Sequence, residues 1–361
     1  MYRNSFVAPV LLTGALLGLL LSGNSKSDGS GWQMFNQAVV DQHLLPRYER
    51  LAESSRVLSQ RATQFCNKPD SQALAQLREA YHGAMDDWMG IQHMRFGPVE
   101  MYLRYNRYQI WPDKHGTAAK QLRRLLADEN RDIFAPDRFP HTSVAIQGFT
   151  SLERLLYSGK LQLDDFVSGD AMNYRCELVV VIARNIAHMS SGIVADWRPG
   201  ELAFREVVLG AEQGNDYFTS SEEVSSRLLN NLHTQLQVIV DNKLLRPMQG
   251  FRLRRAESWR SRRSLINILL NLKATEELYQ VGFSTVVTDK VLDAEIRAGF
   301  NNVIESVERI ELPLYEIKKD SIDYKRLQQL LDASRALKRL IATQLPKAVG
   351  LSLGFNSLDG D

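Results

Sequence analysis

Residues able to do acid–base or metal chemistry are spread thinly along this chain. Its seven histidines are His43, His82, His93, His115, His141, His188 and His233, and none stands in the HExxH arrangement that puts two imidazoles and a general base on one helix face. Glu79 and His82 form a single ExxH, whereas a di-iron bundle takes two such pairs and two further Glu, so a structural or surface role fits this one better. No GxSxG elbow, GxxxxGK[ST] loop or GxGxxG turn occurs, which removes the local signatures of serine hydrolases and phosphate-binding folds. Two stretches remain. In Gln147-Gly148-Phe149-Thr150-Ser151-Leu152-Glu153 a glycine interrupts a helical pattern at a cost of about 1 kcal/mol relative to Ala, which implies close helix approach or a site. In the second, Arg252, Arg254, Arg255, Arg260, Arg262 and Arg263 could grip carboxylates or phosphates bidentately. Glu257 interrupts that cluster and helical spacing scatters it, so ion pairing on a solvated face is the expectation, with Arg260, directly after Trp259, the member that would line a site.

The elements that must position these groups are helical. Apolar residues recur at three and four from Met34 to Phe65 and from Gln72 to Met94, where Gly97-Pro98 ends the pattern. Further helices are expected over Gly116 to Leu126, Ser143 to Tyr157 and Asp170 to Trp197, the last carrying an apolar run at Leu178 to Ile182. Gly200 to Thr219 reads as a loop. Ser220 and Glu223 make a capping box, opening a helix to about Leu245. Ser261 to Tyr279, Thr288 to Ile310 and Tyr324 to Leu345 follow, and Pro346 and Gly350 end the last. In Trp111-Pro112-Asp113 the tryptophan reads as core and Asp113 as the cap of the next helix. The fold class is therefore all-α, two antiparallel helical bundles packed side by side, an N-terminal one over 33–160 and a C-terminal one over 161–361.

The chain is long enough for two cores at 361 residues, and 44% hydrophobic with 24% charged residues is the composition of a globular protein. Lys and Arg (44) against Asp and Glu (42) leave a net charge of +2, too little field to hold DNA or RNA. Residues 1–27 read as a secretory signal: Arg3, an apolar stretch from Phe6 to Leu21, then small polar residues, with cleavage expected near Gly23 to Ser27. Leu21-Ser22-Gly23-Asn24 has the shape of a lipoprotein cleavage box but carries Asn24 where the lipid-bearing Cys must stand. The expected location is a Gram-negative periplasm, with no transmembrane helix in the mature chain. Cys66 and Cys176 suit an oxidising space. A disulfide is the first reading, two separately buried thiols the alternative.

Five stretches, FGPVE after Trp88, WPDKHG, SVAIQGFTSLERLLY, ESWRSRRSLINILLNL and the terminal GFNSLDGD, together resemble the imelysin-like proteins, a family once classed as metallopeptidases. The similarity runs from about Trp32 to Asp361. It implies an envelope protein of two helical bundles, a link to iron uptake, and a GxHxxE signature at a cleft between them. That signature falls on Gly148 to Glu153 with Thr150 where the family has His, and a hydroxyl is a poor substitute for imidazole as a zinc or iron ligand. The chain looks like the branch whose motif reads QGFxxLERLL, and the same resemblance supports pairing Cys66 with Cys176.

The first expectation is thus a noncatalytic binding or accessory protein with a periplasmic or outer-membrane partner of an iron-uptake system. Its cleft would be lined by Arg95, Gln147, Gly148, Thr150, Glu153, Trp259, Arg260, Asn356 and Asp359. An iron carrier with Glu153, Asp359 and Asp361 as oxygen ligands comes second. A metal-dependent peptidase in which Glu153 is joined by His93 or Asp359 comes third.

Overall fold

The computed structural model describes residues 29–113, 115–159, 161–168 and 171–354. The expected signal segment and the tail with Asn356, Asp359 and Asp361 lie outside these. Helix α1 (Gly29–Val39) passes through a wider π-turn, Val40–Leu44, into α2 (Leu45–Asn67). The turn precedes Pro46, which has no amide to give the helical ladder and whose ring needs the extra room. Next come α3 (Ser71–Ile91), the short α4 (Arg104–Tyr108), α5 (Thr117–Asp128), α6 (Phe149–Tyr157) and α7 (Tyr174–Trp197). Then follow α8 (Phe204–Leu209), α9 (Ser221–Gln237), a second π-turn at Val238–Leu245, and α10 (Arg246–Met248), again with a proline, Pro247, just after the turn. The chain closes with α11 (Ser264–Val281), α12 (Lys290–Glu308), α13 (Ile322–Thr343) and α14 (Leu345–Val349). The one sheet among the described residues is a two-residue antiparallel pair, Val167 opposite Met172 and Ser168 opposite Ala171.

The class is all-α, as the periodicity requires. Helix α2 lies between α3 and α7 in one bundle; α11, α12 and α13, with α9 against α13, form the other. The crossings between bundles are α3 on α11 and α1 on α9. The helix Tyr174–Trp197, expected to open the C-terminal bundle, instead packs along α2 in the first, and the Cys66–Cys176 disulfide ties it there with Cα atoms 5.6 Å apart. Its apolar run explains the placement: Leu178, Val179, Ile182, Ala183 and Ile186 are all fully buried. By length and composition α7 could cross a membrane, but it is spent as a core helix.

Two local expectations change. Gly200 to Thr219 is not all loop, since Phe204 drives the short α8 into the core against Trp197 and Phe96. The helix expected from Ser143 begins only at Phe149. Residues Val144–Ile146 form a 3-10 turn, and Gly148 is extended (φ −130°, ψ −160°) ahead of the first helical residue. Gly148 is required there for a steric reason: a Cβ would stand 2.1 Å from the Tyr108 carbonyl oxygen and 2.2 Å from that of Arg107.

Candidate functional site

Helix α6 starts against the end of α4 and aims its second turn at the 253–263 segment that leads into α11. This brings Glu153 into a cavity of about 350 Å³ walled by Trp111, Pro112 and Asp113 on one side, Thr150 and Arg154 on another, and Arg254 to Arg260 on the third. Glu153 is 5% exposed. Its Oε1 accepts two hydrogen bonds from Ser261, one from the backbone N–H and one from the hydroxyl, each 2.9 Å. Burial raises its pKa above the ordinary carboxylate value, opposed by those two bonds and by the charges of Arg260 and Arg154. Thr150, one turn before it, donates its hydroxyl to the Ile110 carbonyl at 3.0 Å and so staples α6 to the strand-like approach to Trp111.

Cations dominate the walls. Arg154, Arg246, Arg254, Arg255 and Arg260 all line the cavity, against two carboxylates, Glu153 and Asp113. Asp113 is engaged as a cap, its oxygens accepting from the Thr117 and Ala118 amides at 2.7 and 3.1 Å, as the sequence suggested. The Arg260 guanidinium lies over the Trp259 ring at 4.4 Å and Arg254 lies over it at 5.7 Å, while Trp259 meets Tyr315 edge-on. Burial and the neighbouring Arg154 lower the Arg260 pKa, the first being the larger cause.

A second chamber of about 410 Å³ shares Gln109, Trp111 and Pro112 with the first. Its floor is a buried ion pair. Lys243 Nζ reaches Glu257 Oε2 at 2.7 Å, Asn271 Oδ1 at 2.5 Å and Gln92 Oε1 at 3.0 Å, while Glu257 Oε1 and the Arg95 Nε are buried without partners. Desolvation lowers the Lys243 pKa, offset in part by Glu257. Next to Gln92, at the end of α3, His93 meets His43: the Nε2 atoms are in hydrogen-bond contact and His43 Nδ1 faces Glu277 Oε1 at 3.1 Å. His43 and Lys243 occupy matching places in the two π-turns, within Val40-Asp41-Gln42-His43-Leu44-Leu45 and Val240-Asp241-Asn242-Lys243-Leu244-Leu245. That short internal repeat, each copy near a proline, is the signal by which a reading of the sequence could have found this buried polar hub; π-turns recur at functional sites.

The expected cleft residues therefore divide. Thr150, Glu153, Trp259 and Arg260 meet in the first chamber. Arg95 lines the second, its guanidinium 4.6 Å over the Tyr105 ring. Gln147 does not line either: it is fully buried, accepting from Arg107 Nε at 2.7 Å and donating to the carbonyls of Pro140 and Thr142. Gly148 serves the close approach described above, and Asn356 and Asp359 lie outside the described residues. The solvated-face expectation for the arginine cluster holds in part: Arg252, Arg254, Arg255 and Arg262 are exposed, Arg260 is half-buried and Arg263 is buried. Among the described residues only Arg262, with Glu316 at 3.1 Å, and Arg263, with Asp86, find carboxylates, whereas Arg254 and Arg255 join Arg260 on the cavity wall. Arg154 and Arg246 were missed because an isolated arginine carries no local signature.

Among the described residues the donor set around Glu153 does not suit a metal ion. Among the described residues no three His, Cys, Asp or Glu side chains stand together as ligands. Glu153 Oε1 is taken up by Ser261, and the nearest charges are guanidinium groups that repel a cation. His93 is bound to His43, and His82 lies between Tyr157 and Arg263, with its Nε2 3.0 Å from the tyrosine hydroxyl and its Nδ1 3.0 Å from the guanidinium.

Comparison with known proteins agrees with this architecture. A crystal structure of an imelysin-like protein from Psychrobacter arcticum 273-4 superposes with a TM-score of 0.74 at 16% identity, covering 91% of this chain and 98% of that one. A protein from Parabacteroides distasonis ATCC 8503, assigned as an iron-regulated protein A precursor, gives 0.77 at 14% identity, covering 90% and 97%. Iron-regulated protein A of Synechococcus elongatus is 23% identical over 249 residues, 68% of this chain; the match spans 63% of that relative's length. The family model for imelysin matches residues 44–341, most of the chain, and the chain belongs to the imelysin family.

Proposed function

We propose that this chain is a noncatalytic ligand-binding component of the cell envelope that serves iron acquisition. The observation that carries it is the state of Glu153: its Oε1 is saturated by Ser261, Thr150 replaces the signature histidine and is spent on the Ile110 carbonyl, and arginines fill the remaining wall. A hydrolytic centre of this family's type needs an imidazole one turn from its carboxylate, and here Thr150 stands in that place. Here the groups are arranged to hold a ligand. The Cys66–Cys176 disulfide supports an oxidising compartment, and with the secretory pattern of residues 1–27 favours the periplasm. The names of the Synechococcus and Parabacteroides relatives support the link to iron.

The test is paired. The purified chain is titrated calorimetrically with Fe(III), Fe(II) and Zn(II), and incubated with unfolded casein with and without chelator. The expected result is no cleavage and no micromolar binding of a bare metal ion. Chelator-sensitive cleavage lost in Glu153→Gln overturns the reading in favour of a peptidase, and tight iron binding lost in Glu153→Ala overturns it in favour of a carrier.

A further inference from the structure

We infer that the chamber around Glu153 is a receptor for a small ligand bearing two or more oxyanion groups, a multivalent carboxylate or phosphate. This rests on the reading of the cleft as a binding site and names what it binds. Arg254 and Arg255 are exposed, whereas Arg154, Arg246 and Arg260 are half-buried. Here Arg154, Arg246, Arg254, Arg255 and Arg260 surround one cavity, and none forms an ion pair with a carboxylate among the described residues. The Arg154 Nε is buried with no hydrogen-bond partner at all. A buried guanidinium donor without an acceptor is costly, and the mutual repulsion of Arg154 and Arg260 adds to it; one bound anion relieves both.

The negative groups already present, two carboxylates against five cations, offset this charge only in part. Asp113 is committed to the α5 amides and one oxygen of Glu153 to Ser261. Contact with the Trp259 ring, at 4.4 Å for Arg260 and 5.7 Å for Arg254, restrains two guanidinium groups of the kind that grip a carboxylate or phosphate edge bidentately. The cations come from three separate segments: α6, the start of α10 and residues 254–260. A single carboxylate is too small to meet all three, whereas a ligand with two or more oxyanions spans them. A volume of about 350 Å³ sits at the small-molecule end of ligand cavities, too large for a lone ion.

The experiment is calorimetric titration of the purified chain with citrate and with inorganic pyrophosphate, each alone and with one equivalent of Fe(III), and with acetate as the monovalent control. Citrate or pyrophosphate is expected to bind at least 100-fold more tightly than acetate, with affinity falling steeply as NaCl is raised. The exposed pair Arg254→Ala with Arg255→Ala is expected to weaken binding at least tenfold with the melting temperature unchanged. Tighter binding of the iron-loaded anion identifies a metal chelate as the source of the oxyanions; equal binding identifies the free anion; either supports the inference. Polyanions that bind no better than acetate, or affinities untouched by the arginine pair, overturn it. Failure of the underlying reading is recognised separately, because casein cleavage reports on catalysis whatever the anions do.

Discussion

The Nε2 atoms of His43 and His93 stand 2.8 Å apart with both rings fully buried, and only one of the two can carry the shared hydrogen. His43 Nδ1 lies 3.1 Å from Glu277 Oε1 and 3.2 Å from Arg47 Nε, so a neutral His43 either donates there to Glu277 or accepts there from Arg47, and the tautomer chosen decides which ring donates across the Nε2 contact. The His93 Nδ1 is buried without a partner among the described residues. Burial, the largest cause, and the nearby Arg47 and Arg50 lower the His43 pKa to about 4 from 6.5, with Glu277 opposing them. Burial also holds His93 well below its ordinary value.

Both histidines are thus neutral in the folded chain at a pH where the unfolded chain protonates them. A depressed histidine contributes stability that is present above pH 6.5 and lost as pH falls from 6.5 toward 4, on the order of 3 kcal/mol for His43 alone. Urea midpoints measured from pH 7.5 to 4.5 should fall across that window, and His93→Gln, which retains a donor without titrating, should flatten the fall. A stability that is level between pH 7 and 5 would refute the assignment.

The Lys243–Glu257 pair should behave as a unit. Both side chains are about 98% buried or more, so removing one charge strands the other in a low-dielectric interior. Lys243→Met is expected to cost about 3 to 5 kcal/mol, and adding Glu257→Gln to recover most of it. Equilibrium unfolding of the four members of the double-mutant cycle measures this. Additive losses would show that the two charges are independently solvated.

Much of this architecture was legible from periodicity alone, because helices α2, α3, α12 and α13 bury one stripe each and the stripe is written in the spacing of Leu, Phe and Val. The association of α7 with α2 was not: its apolar run marks a buried helix but does not say against which neighbours, and chain order suggested the wrong bundle. At the site, Gly148, Thr150 and Glu153 were visible because an unusual glycine and a carboxyl fell in one motif. Arg154, Arg246 and the outward-looking Arg254 and Arg255 were not, since only the fold converges them on one cavity. Gln147 carried the same motif signal as Glu153 yet is spent on Arg107, Asn185 and two carbonyls.

Two glycines should respond oppositely to the same substitution. An alanine Cβ at Gly148 collides with two backbone carbonyl oxygens rather than with flexible side chains, so Gly148→Ala is expected to destabilise by about 3 kcal/mol, the upper end of ordinary overpacking. At Gly83, inside α3, a Cβ meets nothing within 4 Å, and Gly83→Ala should stabilise by about 0.5 to 1 kcal/mol through helix propensity. Thermal melts of the two variants decide it. Equal shifts of the same sign would mean that the α6 start can back away from α4.

Glu153 gives the last expectation, and its sign follows from burial. A carboxyl whose folded pKa is raised favours folding below its unfolded pKa of 4.5, and that advantage is lost as pH rises through the folded value. Replacing it by an isosteric amide that still accepts from the Ser261 amide removes the loss, so Glu153→Gln should gain stability relative to the parent as pH climbs from 4 to 7, the two being nearly equal at pH 4. Ser261→Ala should act in the other sense: with one hydrogen bond to the carboxylate gone, ionisation becomes harder still and the parent's loss with pH grows. Melting curves of the three chains across that range measure both effects. A Glu153→Gln variant that loses ground as pH rises would show the ionised carboxylate to be a net stabilising element, bound more firmly by Arg154, Arg260 and Ser261 than burial penalises it.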